Sequence, residues 1–182
     1  HLALLDIMLP KKNGIEVLKE LRTFSELPVI MLTAVTDEET LAVWQAELAR
    51  AWVKKTKWKL VRSQSLTTPL SIGLFDRTTC VVLPARSYTP QELSLVLRHE
   101  IIHICRGDPS SKFFMAFCTA MCWFNPLMWV AMRKSADDFE LSCDETVLLD
   151  EPQPVRREYA ELLLNTAGDE RGSVSYTHLR AH

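Results

Sequence analysis

The chain has 182 residues, 47% of them apolar and 24% charged, with a formal net charge of −2. That composition belongs to ordinary globular domains and excludes disordered, collagen-like and disulfide-scaffold chains. It offers no basic excess of the kind that direct nucleic-acid binding needs. Five cysteines, an odd number with no CxxC pair, predict reduced thiols.

The chain opens on His1-Leu2-Ala3, so its start reads as truncated. Leu2–Leu5 is a short apolar run ending at Asp6, Asn13-Gly14 marks a turn, Ile15–Thr23 has amphipathic helical spacing, and Pro28–Leu32 is a second buried strand. Strand, helix and strand make one βαβ unit, whose parallel strands need cover on both faces. Leu5-Asp6-Ile7-Met8-Leu9-Pro10, Asn13-Gly14 and Met31-Leu32-Thr33-Ala34 resemble the middle of a response-regulator receiver domain, over about residues 1–40. The resemblance implies a phosphoacceptor at Asp6 and a switch hydroxyl at Thr33. The acidic pair that holds Mg²⁺ in that family, and its Lys-Pro segment, are not among these residues. A carboxylate phosphoacceptor depends on such a cation to neutralise crowded charge.

Leu41–Trp58 carries apolar residues at helical spacing, with a basic patch from Lys54 to Lys59 that reads as a solvated end or linker. Pro69–Leu74 and Thr78–Leu83 predict two short strands of a hairpin around Asp76-Arg77. Thr89, Pro90 and Glu92 form a helix start: a capping residue, a proline in the first turn and an acid three positions on. Leu93, Val96, Leu97, Ile101 and Ile104 continue it as an apolar stripe, and Gly107-Asp108-Pro109 ends it. Phe113–Met132 is twenty residues without a charge, long enough to cross or enter a bilayer, although Asn125-Pro126 interrupts it. A further helix is expected from Pro126 to about Leu149 and a last one from Val155 to Leu164. Residues 165–182 read as a disordered tail. Its last nine, Val174 to His182, resemble the conceptual translation of a sequencing-library adapter and are set aside from fold reasoning.

Chemistry concentrates in His99-Glu100-Ile101-Ile102-His103, an HExxH pattern inside the capped helix. A spacing of four puts both imidazoles on one face, one turn apart, where they can share one Zn²⁺. Glu100 lies on the rim of that face and can take a proton from water without ligating the metal. Hydrolytic zinc takes three protein ligands. No spare histidine exists in the body of the chain, so the third ligand must be an acid or a cysteine. Glu140 and Asp144 share a face of the later helix, so Glu140 could ligate while Asp144 orients an imidazole. Cys105 and Cys143 are the thiol alternatives, or small buried hydrophobes.

Arg98 to His103, Arg106, Asp108, Lys112, Trp123-Phe124-Asn125-Pro126-Leu127 and Glu140-Leu141-Ser142-Cys143-Asp144-Glu145 resemble the BlaR/MecR-type antirepressor metallopeptidases, membrane zinc proteases of the gluzincin kind. The similarity covers about residues 41–164. It implies an α+β, mostly helical, zincin-like core with a small sheet, added to the partial βαβ unit of residues 1–40. It implies Zn²⁺ on His99, His103 and Glu140, a general base at Glu100 and a supporting role for Asp144. It implies a protein substrate, with transcriptional repressors in that class, and a protease domain facing the cytoplasm from a bacterial membrane. Pro69–Leu74 is then an edge strand able to pair with an extended peptide.

Overall fold

The computed structural model describes residues 3–7, 12–53 and 56–170. Lys54 and Lys55 of the basic patch, Met8-Leu9-Pro10 of the receiver-like motif and the adapter-like stretch 174–182 lie outside the described residues.

Five strands form one mixed sheet in the order β1-β2-β3-β5-β4. β1 (Ala3–Asp6) and β2 (Val29–Ala34) run parallel around helix α1 (Gly14–Leu21), which gives the expected βαβ unit. The glycine of Asn13-Gly14 is required: a Cβ at Gly14 would lie 2.1 Å from the backbone oxygen of Asp6. Helix α2 (Glu38–Arg50) starts on Asp37, whose carboxylate accepts from the Thr40 amide. It stops at Arg50 rather than reaching Trp58, because the chain turns at Trp52 with φ 59°.

The residues that follow hold a strand that apolar spacing does not announce. β3 (Lys59–Ser63) pairs antiparallel with β2 and parallel with β5 (Cys80–Pro84), so it sits inside the sheet. Leu60 and Val61 point to opposite faces, both covered, which leaves no alternation of apolar and polar residues to read. β4 (Leu70–Ile72) pairs antiparallel with β5 and closes the sheet at one edge, as the hairpin reading expects.

Helix α3 (Pro90–Arg106) has the predicted capping box, with the Thr89 hydroxyl accepting from the Glu92 amide and the Glu92 carboxylate accepting from the Thr89 amide. Gly107, at φ 73°, ends it. Leu95, Leu97 and Ile101 are fully buried beside Val81 and Leu83 of β5, and this core extends to Trp44 of α2 and Tyr159. A second cluster of Leu32, Val61, Cys80 and Val82 covers the opposite face. Glu47 of α2 is buried, yet satisfied: it accepts from Ser94 at 2.7 Å and from Arg98 at 3.1 Å. Arg98 also pairs with Glu151, which Arg50 reaches at 3.0 Å. These ions tie α2, α3 and the segment after α5 together beside the HExxH turn.

Gly107 launches helix α4 (Asp108–Met121), and Asn125-Pro126 starts α5 (Pro126–Leu148). The charge-free run Phe113–Met132 is therefore a helical hairpin and not a continuous span. The residue before a proline disfavours helix, and the Asn125 side chain caps α5 by accepting from the Leu127 amide at 3.0 Å. Among the described residues no helix is long and apolar enough to cross a membrane. Helix α6 runs Gln153–Glu170, past Leu164 into residues expected to be a disordered tail; no proline interrupts it there.

Candidate metal centre

Because α3 places His99 and His103 one turn apart, their rings meet at 4.6 Å between centroids, edge to face at 76°. Their Nε2 atoms are 2.9 Å apart. Glu140, fourteen residues into α5, brings its Oε2 to 3.2 Å from His103 Nε2 and 3.5 Å from His99 Nε2. Ligands on a tetrahedral divalent metal with bonds of ~2.0–2.1 Å stand about 3.3 Å from one another. Two nitrogens and one oxygen thus converge with the separations and the donor chemistry of a three-ligand metal site.

Each ring is oriented from behind. His103 Nδ1 lies 2.7 Å from Oδ2 of Asp108, the first residue of α4, whose side chain is 4% exposed. His99 Nδ1 lies 2.8 Å from the Tyr159 hydroxyl of α6 and 3.2 Å from Asp144 Oδ1. Tyr159 gives its one proton to Asp144 Oδ1 at 2.6 Å, so its oxygen is left to accept from His99 Nδ1–H. Both imidazoles are therefore assigned as Nδ1–H tautomers that leave Nε2 free to ligate, the arrangement in which carboxylates raise ligand basicity. Lys112 of α4 donates to Glu140 Oε1 at 2.9 Å, which holds Oε2 toward the rings.

The electrostatics follow this geometry. Burial disfavours charge on His99, but Asp144, Cys143 and Glu140 outweigh it and raise its pKa. For His103 the same contest, with Cys143, Glu140 and Asp108 as partners, also ends above the ordinary value. At 2.9 Å the two Nε2 atoms have room for only one proton between them, so the metal-free pair carries a single shared positive charge. The imidazoles, with Lys112, hold the Glu140 carboxyl far below its usual range.

Glu100 is 6% exposed, and burial pushes its pKa up. The charges of His99 and His103 oppose that rise, with a smaller contribution from Ser71 of the edge strand β4. The predicted base thus sits between the imidazoles and the sheet edge.

The cysteine alternative has partial support. One nitrogen of each imidazole and Cys143 Sγ lie within 4.8 Å of one another. The Cys143 thiol, however, donates to the His99 carbonyl at 3.4 Å, whereas the Glu140 oxygen is the atom at 3.2 Å and 3.5 Å from the two Nε2 atoms. Cys105 is exposed. Asp108, Lys112, Ser71 and Tyr159 are the contributors that sequence reasoning left without a role. Only Asp108 had a local signal, five residues after His103 and directly behind the helix-ending Gly107. Asp6 ends β1 opposite Leu32 and Thr33 pairs with Arg62, so both lie on the β1–β2 side of the sheet, away from the β4 edge.

A sequence model of the family described as BlaR1 peptidase M56 matches residues 19–181. The chain belongs to that family. The regulatory protein BlaR1 of Bacillus licheniformis is 28% identical over 105 residues, which cover 58% of this chain and 18% of that protein. Shorter stretches are similar to other proteins. The response regulator RR06 of Streptococcus pneumoniae is 52% identical over 40 residues, 22% of this chain and 18% of that protein. The transcriptional regulatory protein CpxR of Klebsiella pneumoniae is 70% identical over 33 residues, 18% and 14% of the two chains. The chain thus spans less than a fifth of the length of these relatives.

Proposed function

We propose that the chain is a zinc-dependent endopeptidase of the antirepressor type, with the peptidase unit in residues 41–164. The observation that carries the reading is the convergence of His99 Nε2, His103 Nε2 and Glu140 Oε2 at 2.9–3.5 Å beside a buried Glu100. Two imidazoles and a carboxylate suit Zn²⁺ and leave it one open position. When bound, the metal supplies Lewis acidity to the carbonyl under attack and to water.

The protein's own groups do the rest. Glu100, its pKa raised by burial, accepts a proton from the attacking water and returns it to the departing amine. Asp108, Asp144 and Tyr159 hold the two rings in the ligating tautomer. Among the described residues the outer edge of β4 is unpaired; it offers backbone groups to an extended peptide laid alongside Ser71, which places its main chain next to Glu100. A protein substrate, transcriptional repressors included, and attachment to a bacterial membrane with the site on the cytoplasmic side complete the reading.

Metal content and hydrolysis of labelled casein test it together. His99→Ala is expected to lose zinc. Glu100→Ala is expected to keep zinc and lose cleavage; cleavage that persists in Glu100→Ala overturns the assignment.

A second reading rests on β1-α1-β2 and the short similarities to response regulators. In it residues 1–40 derive from a receiver, with Asp6 as phosphoacceptor and Thr33 as its reporter. It predicts Mg²⁺-dependent labelling by acetyl phosphate that Asp6→Asn abolishes, and no labelling of the parent chain removes it.

A further inference from the structure

The hairpin of α4 and α5 carries an apolar surface that nothing among the described residues covers. Phe114, Phe117, Met121, Trp123, Phe124 and Leu127 are each between 56% and 72% exposed. A patch of that size on a monomer marks an interaction site. Its borders are charged in one sense only. No Asp, Glu, Lys or Arg occurs from Phe113 to Met132, and Lys112, Arg133 and Lys134 stand where the run begins and ends. In a hairpin those ends meet, so Arg133 and Lys134 stand at the base, where Lys112 is paired with Glu140, and none is at the tip.

Length and hydrogen bonding narrow the occupant. From Lys112 to Met121 the first arm is about 13 Å long, and from Pro126 to Arg133 the second is about 10 Å. One hydrocarbon leaflet is about 15 Å deep, half of a bilayer core. The turn also makes several of its hydrogen bonds internally, which lowers the cost of entering hydrocarbon. The Cys122 amide donates to the Cys118 carbonyl and the Asn125 amide to the Cys122 carbonyl, both at 2.9 Å. Asn125 Oδ1 accepts from the Leu127 amide at 3.0 Å, and Trp129 Nε1 donates to the Trp123 carbonyl at 2.9 Å. An apolar protein partner would not need a closed turn or a cationic collar; lipid with anionic headgroups uses both.

We propose that the α4–α5 hairpin is a wedge that enters one leaflet of an anionic bilayer tip first and sets the height of the metal centre above the lipid. The proposal rests on the membrane-associated reading above and adds the element and the depth. Glu140 lies seven residues beyond Arg133 on the same helix, about 10 Å above the headgroup level. Lys112, from the other arm of the hairpin, reaches up to Glu140 Oε1. The centre therefore serves peptide segments within about 10 Å of the membrane surface.

The test uses the full chain, without added zinc, and vesicles of phosphatidylglycerol and phosphatidylcholine. Cosedimentation measures binding, and Trp123 fluorescence is quenched by lipids brominated at graded depths, with Trp123→Phe to assign the signal. We expect binding, quenching of Trp123 from within one leaflet, and a loss of vesicle affinity of about two orders of magnitude in Phe117→Glu with Leu127→Glu. Phe24→Glu, at an exposed apolar residue outside the hairpin, is expected to bind as the parent does. Circular dichroism checks that the double variant stays folded. Binding without quenching of Trp123 overturns the wedge and leaves membrane association standing. No binding overturns both, and neither result bears on the peptidase assignment. A lipid-free dimer that the double variant dissolves, with vesicles ignored, assigns the patch to a second copy and also overturns the wedge.

Discussion

Asp108→Asn is the sharpest test of how the metal centre is held. The carboxylate is 2.7 Å from His103 Nδ1 and its side chain is 4% exposed, so solvent neither screens the contact nor replaces it. Asparagine keeps the shape and an acceptor oxygen but removes the charge that makes the ring a better donor to metal. Loss of such a partner weakens metal binding by about 10–100-fold. The retained acceptor puts Asp108→Asn near the lower end, about 1.4 kcal/mol, and Asp108→Ala, which leaves Nδ1–H unpaired, near the upper. Asp144→Asn should cost less than Asp108→Asn, because Asp144 is 30% exposed and its 3.2 Å contact is shared with Tyr159. Zinc affinity measured by chelator competition, with Asp137→Asn as an exposed acidic control on α5, reads the series. A zinc Kd for Asp108→Asn within about twofold of the parent, in a folded protein, would refute the orientation of His103 by Asp108.

Zinc uptake at neutral pH should release about one proton, the one shared between the two Nε2 atoms, and calorimetry in buffers of different ionisation heat counts it. The metal-free chain should be most stable between about pH 4.5 and 6.5. The raised pKa of its histidine pair gives stability that is present below the ordinary value of 6.5 and lost as pH climbs above it. Its depressed Glu140 and Asp144 give stability present above their ordinary 4.5 and 3.8 and lost on acidification. Urea titrations across pH check both limbs, and a stability that rises from pH 7 to 9 would contradict the first. Leu97→Ala, at a side chain with no exposure, should cost about 2–5 kcal/mol in urea unfolding. Gly107→Ala should cost about 1–2 kcal/mol through φ alone, since a Cβ there meets nothing within 4 Å.

Local signals carried the helix that matters most. The Thr89 cap, the stripe from Leu93 to Ile104 and the left-handed Gly107 act within a few residues of one another, so α3 and the shared face of His99 and His103 were legible in the chain. The βαβ unit and the β4–β5 hairpin were legible for the same reason. β3 was not, because a strand covered on both faces has no period of its own. Spacing alone could offer Glu140 only as one of several acids and thiols. Its selection depends on how far α4 and α5 fold back, which Asn125-Pro126 decides by breaking a run that hydropathy alone reads as a span. Asp108 and Lys112 come from α4, Ser71 from β4 and Tyr159 from α6, and no periodicity relates them to His99. The sequence by itself determined two imidazoles and a base on one capped turn. Only tertiary packing decided which oxygen faces them and which groups orient the rings, because those contacts span up to sixty residues and depend on the angles at which helices cross.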